Sequence, residues 1–328
     1  MIQALELKIP KKYHHGNQVL QCYETLVSAF YASVDIPFQW LFSDSWSFYY
    51  FSPLGLFTNS TPVRYPLQDS IDLILKKPQT TYTNQDLIDL ITINRGPDRC
   101  LVVVIDGWYI PWSASHKKTH EPHFIVAKDY DAATNQVYLV DLFPTEFVGW
   151  FDFTTFNISF ISNGKHAFEL EKPDTFEPPA GLAASQMEKC VERIRGTKDG
   201  EVPTGIYGII QFMKDMLELR EYGAHYVDTW YKQLKSLTDS RLMFIEFLTF
   251  IQQDERSPHY GLDASELNHI FDKNISAWNT LRNHLMLTKI KTQYDPAKFE
   301  DKLRLIIDLE GQCADEMERL AGRMKQLD

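Results

Sequence analysis

Apolar and polar positions follow two different rhythms along this chain. From Leu5 to about Leu170 the apolar residues come in short runs broken by turn formers; beyond Glu171 they recur at three- to four-residue spacing. In the first part Cys100-Leu101-Val102-Val103-Val104-Ile105 is a continuous, largely β-branched run. Phe124-Ile125-Val126-Ala127 and Gln136-Val137-Tyr138-Leu139-Val140 are two further strand segments. Asp131-Ala132-Ala133-Thr134-Asn135 separates them with turn formers, which predicts an antiparallel hairpin. Helices are expected near 20–33, 68–76 and 84–93, the last capped by Asn84 and carrying Leu87, Ile88 and Ile91 at helical intervals. This half therefore predicts an α+β class, with helices packed on an antiparallel sheet.

The Pro-rich, polar stretch from Glu171 to Gly181 marks a boundary, so the expected organisation is a first domain at 1–170, a linker at 171–184 and a second domain at 185–328. In the second domain helical spacing runs through 185–195, 204–221, 223–237 and 239–254, then from Asp263 to about Thr292 and from Asp295 to Leu327. Asp263 with Glu266 forms a capping box, and Asp295-Pro296 sets an N-cap before a first-turn proline. An all-helical bundle follows, burying a face such as Ile206, Ile209, Ile210, Met213 and Leu217. The 239–254 segment is apolar almost all round, which predicts a helix buried in the bundle or at a homodimer interface.

Composition narrows the partners. With 44 acidic against 33 basic residues the chain carries −11, and nucleic acid or an anionic membrane surface would need the clustered cations it lacks. The surplus is even, with 12 bases and 17 acids in residues 1–170 and 21 and 27 beyond. No apolar run approaches the roughly 18 to 20 residues of a membrane-spanning helix, and Met1 to Glu6 lacks the pattern of a secretory signal, so a cytoplasmic protein is expected. Cys22, Cys100, Cys190 and Cys313 form no CxxC pair, and Tyr13-His14-His15 and the His116–His120 stretch lack companion ligands, so no metal is expected.

The chemistry-bearing set is a cysteine at a helix start, followed by a histidine and an aspartate on a hairpin: Cys22, His123 and Asp141. A thiol at a helix N-terminus gains thiolate character from the dipole, and a neighbouring imidazole favours it further. His123 opens one strand of the hairpin and Asp141 ends the other, which allows Asp141 to orient the ring as a third member. Each residue alone has a plainer role, as a buried thiol, a strand-end histidine or a turn aspartate; the ordered set favours catalysis.

The order Gln21-Cys22-Tyr23-Glu24-Thr25-Leu26, then His123-Phe124-Ile125-Val126-Ala127-Lys128-Asp129-Tyr130-Asp131, then Val137-Tyr138-Leu139-Val140-Asp141 resembles the papain-like cysteine peptidase superfamily. Within it the chain is similar to the BtrH-type acyltransferases of butirosin biosynthesis. Val104-Ile105-Asp106-Gly107-Trp108-Tyr109-Ile110-Pro111-Trp112 and the helix opening Thr204-Gly205-Ile206-Tyr207-Gly208 add to the likeness. Among amide-forming relatives it also resembles the cysteine-protease homologue of closthioamide biosynthesis. Two positions depart from the family pattern. The oxyanion glutamine about six residues before the cysteine is replaced by Gly16, leaving Asn17 and Gln18 as the nearest amides. Asp129 stands where the family's Gly-Tyr-Asp has glycine.

The resemblance implies a papain-like fold and acyl transfer. Cys22 would take an acyl group from an acyl or peptidyl carrier-protein thioester and pass it to a small amine, with Gln18 or Asn17 completing the oxyanion hole. No cofactor is implied beyond the phosphopantetheine that arrives on the carrier. Trp46, Trp108, Tyr109 and Trp112 are candidates to line the substrate channel or simply to pack, and Asp44 and Asp106 to attract an ammonium group. An acidic carrier would need a local basic or apolar patch such as Lys117-Lys118 or the 189–198 helix, and −11 suits a diamine, polyamine or aminoglycoside acceptor. A peptidase or amidase using water, and a non-catalytic binding protein of the same fold, are the alternatives.

Overall fold

The computed structural model describes residues 7, 20–51, 56–58, 67–96, 98–197, 202–218, 223–255, 257, 259–291, 295 and 297–327. In chain order its first part holds α1 (Cys22–Ser33), a 3₁₀ turn (Phe38–Phe42), β1 (Tyr49–Phe51), β2 (Leu56–Thr58), α2 (Gln68–Leu75), β3 (Thr81–Thr83) and α3 (Leu87–Ile93). Then come β4 (Arg99–Asp106), a 3₁₀ turn (Gly107–Tyr109), β5 (Pro122–Asp131), β6 (Gln136–Asp141), β7 (Phe147–Asp152), α4 (Phe153–Ser162) and β8 (His166–Glu171). Five helices complete it: α5 (Leu182–Arg195), α6 (Gly205–Glu218), α7 (Gly223–Gln253), α8 (Ser265–Lys291) and α9 (Ala297–Met324). The class is α+β, with a helical C-terminal region, and no described helix is long and apolar enough to cross a membrane.

Two compact units divide the chain: Met1–Phe38 with Ile71–Phe176, and Gln39–Ser70 with Glu177–Asp328. A unit border falls at Phe176/Glu177, and the contacts move residues 39–70 into the helical unit. Their aromatic side chains explain the transfer. Trp40 meets Phe247, Trp46 meets Phe271, Phe48 stacks on Trp278 and Tyr50 packs on Phe212.

In the first unit a six-stranded antiparallel sheet runs β3-β8-β4-β5-β6-β7. The β-branched run of β4 lies centrally and is buried from Cys100 to Asp106. Alternate residues Leu101, Val103 and Ile105 join Ile125, Ala127, Val137 and Leu139 in one core with Leu87, Leu90 and Ile91 of α3 and Phe156 and Phe160 of α4. Each such side chain, fully buried, stabilises the fold by about 1.5–3 kcal/mol. α1 packs against β5, Tyr23 meeting Phe124 and Phe168. A strand covered on both faces reads as a continuous apolar run, which is what β4 shows.

Local chemistry moves some helix ends. Asp86, not Asn84, caps α3, accepting from Ile88 N at 2.8 Å, while Asn84 adopts a left-handed φ of 58°. The two helices expected at 223–237 and 239–254 are the single α7, because the Thr238 hydroxyl is satisfied by Leu234 O and Lys235 O without breaking the helix.

The second unit is organised around a buried ion pair. Arg241 Nη2 donates to Glu310 Oε1 at 2.7 Å, both side chains being fully buried. Trp278 Nε1 donates to the same oxygen and Trp46 Nε1 to Oε2. Gly205 is required where α6 begins: φ is +54° and a Cβ would lie 2.1 Å from Ile194 O.

Candidate active site

Cys22 is the first residue of α1, half-exposed at the end where the helix dipole is positive. His123 and Asp141 come from β5 and β6. Ala127 pairs with Leu139 and Val126 with Val140, so continuing the register sets Asp141 across from Ile125. His123, two residues earlier, is then its diagonal neighbour on the same face of the sheet. Their side chains meet, His123 Nε2 lying 2.6 Å from Asp141 Oδ2.

The buried Asp141 carboxylate receives only donors. Phe143 N donates to Oδ1 at 3.1 Å, and Trp112 Nε1 donates to Oδ2 at 2.8 Å alongside His123. With Phe143 N–H and Trp112 Nε1–H donating to its two oxygens, the carboxylate faces the ring as an acceptor, which assigns a proton to His123 Nε2. The remaining ring nitrogen is left for Cys22, with which His123 shares a side-chain hydrogen bond. Burial alone would lower the His123 pKa. The hydrogen bonds to Asp141 and Cys22 and their negative charges outweigh it, raising the value to about 9. The shift favours the imidazolium form of the ring.

Trp112 was expected along a substrate channel. It lies beside Asp141, with its ring stacked on Phe147 at 3.7 Å and edge-on to Phe151. Asp106 was expected to attract an ammonium group. Its buried carboxylate is engaged from both sides, Oδ1 accepting from Trp108 N and Oδ2 lying 2.6 Å from His120 Nδ1. Trp108 stacks on the His120 ring at 4.6 Å, and Tyr109 stands near the same imidazole. The His120–Asp106 pair went unread in the sequence. Its only signal was an acidic residue ending a strand opposite the histidine-bearing loop that returns to it.

Trp46 and Asp44 take structural positions in the second unit. Trp46 is fully buried with its N–H on Glu310, and Asp44 accepts from Ser70 Oγ at 2.8 Å and lies beside Arg193. Asn17 and Gln18 lie outside the described residues. The cations of the 189–198 segment are partly spoken for, Arg193 pairing with Asp69 and Arg195 with Asp315 and Glu318; Lys118 donates to Ala114 O. Cys100 and Cys190 are buried, which pushes both thiols up to about 12, and burial likewise raises Cys313. Of the four cysteines Cys22 alone combines exposure with a histidine. No group of three or more metal-ligating side chains occurs among the described residues.

No protein-family model matches the chain, and no curated protein matches its sequence. The geometry of the Cys22 site and the order of its residues therefore carry the functional reading.

Proposed function

We propose that this protein is a papain-like, cysteine-dependent acyltransferase that moves an acyl group from a carrier-protein thioester to a primary amine. The observation that carries the reading is the Cys22–His123–Asp141 array, a half-exposed thiol at a helix start sharing a hydrogen bond with an imidazole that a triply bonded carboxylate orients.

In this scheme Cys22 attacks the thioester carbonyl and the carrier thiol departs with a proton from the His123 imidazolium, leaving an acyl-enzyme. A primary amine, which ordinarily titrates near about 10, is mostly protonated at neutral pH, so the small unprotonated fraction attacks. Neutral His123 takes the proton released as the amide forms, and the Cys22 thiolate is restored. The α1 N-terminus supplies positive potential where the oxyanion develops.

Intact-protein mass spectrometry after incubation with an N-acetylcysteamine acyl thioester tests the scheme. An adduct is expected on the wild type, absent from Cys22→Ala, and cleared faster by added diamine than by buffer. Equal clearance by buffer would make the protein a hydrolase, and turnover surviving in Cys22→Ala would remove the enzyme reading.

A further inference from the structure

Between β4 and β5 the chain makes a long loop, 107–121, whose two ends the sheet fixes: Asp106 pairs with Pro122 and Ile105 with His123. Loops of more than about 12–15 residues are uncommon in compact domains and usually functional. This one carries Trp112, whose indole N–H reaches the Asp141 oxygen that His123 also uses. We propose that His120 is a positioning residue for the Cys22 site: by holding the Asp106 carboxylate it closes loop 107–121 in the form that delivers Trp112 to Asp141. The consequence for turnover rests on the acyl-transfer reading above; the consequence for Trp112 stands without it.

Asp106 is the last residue of β4, and its carboxylate is buried. Each oxygen takes one end of the loop. Oδ1 accepts from Trp108 N at 3.0 Å, where the 3₁₀ turn begins, and Oδ2 lies 2.6 Å from His120 Nδ1, just before β5. One side chain thereby ties residue 108 to residue 120. An imidazole whose Nδ1 faces a carboxylate keeps its proton there in both the neutral and the charged ring. Beside this tie Gly107 N donates to Glu121 O at 2.9 Å.

From Trp108 the closure passes to Trp112 through short links. Trp108 O accepts from Lys117 N and from His116 Nδ1, and the Trp108 ring stacks on His120 at 4.6 Å. Ile110 N donates to Gly107 O and Ser113 N to Ile110 O, so Trp112 stands within consecutive turns. Glycine at 107 allows them, since a Cβ there would lie 2.7 Å from Ser113 Oγ. Without His120 the buried Oδ2 loses its donor, and Asp106 gains by turning towards water, which releases Trp108 N and the turn it starts. Stacking on Phe147 and Phe151 tolerates a slide of the Trp112 ring, whereas its hydrogen bond to Asp141 weakens steeply with distance and angle. The His120 side chain is 64% exposed, so replacing it leaves the core intact.

Hydrogen exchange by NMR on the full chain with ¹⁵N-labelled indoles tests the proposal, the Trp112 signal being the one absent from Trp112→Phe. This N–H should be protected in the wild type and exchange about tenfold faster in His120→Ala. His120→Gln should behave like His120→Ala, because its amide nitrogen lies one bond further out than Nδ1. His120→Asn, whose amide nitrogen stands as many bonds from the backbone as Nδ1, should restore the wild-type rate. The indoles of Trp46 and Trp278, bonded to Glu310, should stay unchanged and report correct folding. In thioester turnover His120→Ala should lower kcat about tenfold with KM nearly unchanged, and should cost little more when added to Trp112→Phe. A Trp112 N–H that exchanges at the wild-type rate in His120→Ala overturns the proposal. So does a raised KM with unchanged kcat, which would make His120 a substrate contact, or additive losses in the double variant. Absence of turnover in the wild type would remove the acyltransferase reading, while the exchange rates would still decide the role of His120.

Discussion

Asp141→Asn is the substitution that most directly interrogates the Cys22 site. Phe143 N–H donates to one oxygen of Asp141 and Trp112 Nε1–H to the other, so the amide NH₂ of an asparagine must point at a donor whichever way it turns, at a cost of about 1–3 kcal/mol. Loss of the charge acts on His123 as well. Its pKa of about 9 stands above an ordinary 6.5 because Asp141 and Cys22 outweigh burial, a margin of roughly 3 kcal/mol. Without Asp141, burial should return the ring to about 6.5 or below. At pH 8 the imidazolium fraction then falls from about 90% to about 3%, roughly a 30-fold loss of the charged pair. The assay is kcat/KM for thioester turnover between pH 5.5 and 10, with the ring followed by NMR of ¹³C-labelled histidine. The alkaline limb near pH 9 should move down by about two units or more. A variant whose His123 still titrates near 9 would refute the assignment of the shift to Asp141.

The same histidine links pH to stability. Its folded-state pKa is raised, so its contribution is complete below about 6.5 and lost as pH rises through about 9; melts of wild type and His123→Phe should converge over that window, and parallel curves would contradict it. In the second unit Glu310→Gln leaves the fully buried Arg241 without its counter-charge and should cost about 3–5 kcal/mol in urea denaturation, part of which Arg241→Met recovers when combined with it. Deleting Lys128 removes the bulge but retains the Ala127↔Leu139 register, so the thioester adduct on Cys22 should persist, and its loss by mass spectrometry would contradict that register.

Much of the first unit's centre was readable because its strands are buried on both faces or carry clean turn signals, as in β4, β5 and β6. The edge strands were not. β7 alternates half-buried and exposed residues, with Trp150 and Val148 facing outward, and β3 is only three residues long. Neither presents an apolar run. The grouping of 39–70 with the helical unit was hidden for a different reason: Trp46, Phe48 and Tyr50 look like any aromatic stretch, and their partners Glu310, Trp278 and Asp215 lie more than a hundred residues away. The meeting of His123 and Asp141 was legible in the order of residue types along the hairpin. The roles of Trp112 and His120 were not, because each depends on which carboxylate the fold delivers to an indole or imidazole nitrogen.

One irregularity in the β5–β6 hairpin bears on the Cys22 site. Counting back evenly from the turn, Asp131↔Gln136, Tyr130↔Val137 and Asp129↔Tyr138 would set Asp141 opposite Val126. Because side chains alternate, Asp141 would then share a face with Val126 and lie on the opposite side from His123. The extra residue at Lys128 shifts the register by one, so that Asp141 stands opposite Ile125 and diagonal to His123. The hairpin's length and turn formers are visible in the sequence, but neither reveals that shift. By absorbing the extra residue, the bulge keeps Asp141 within reach of His123 in a hairpin of this length.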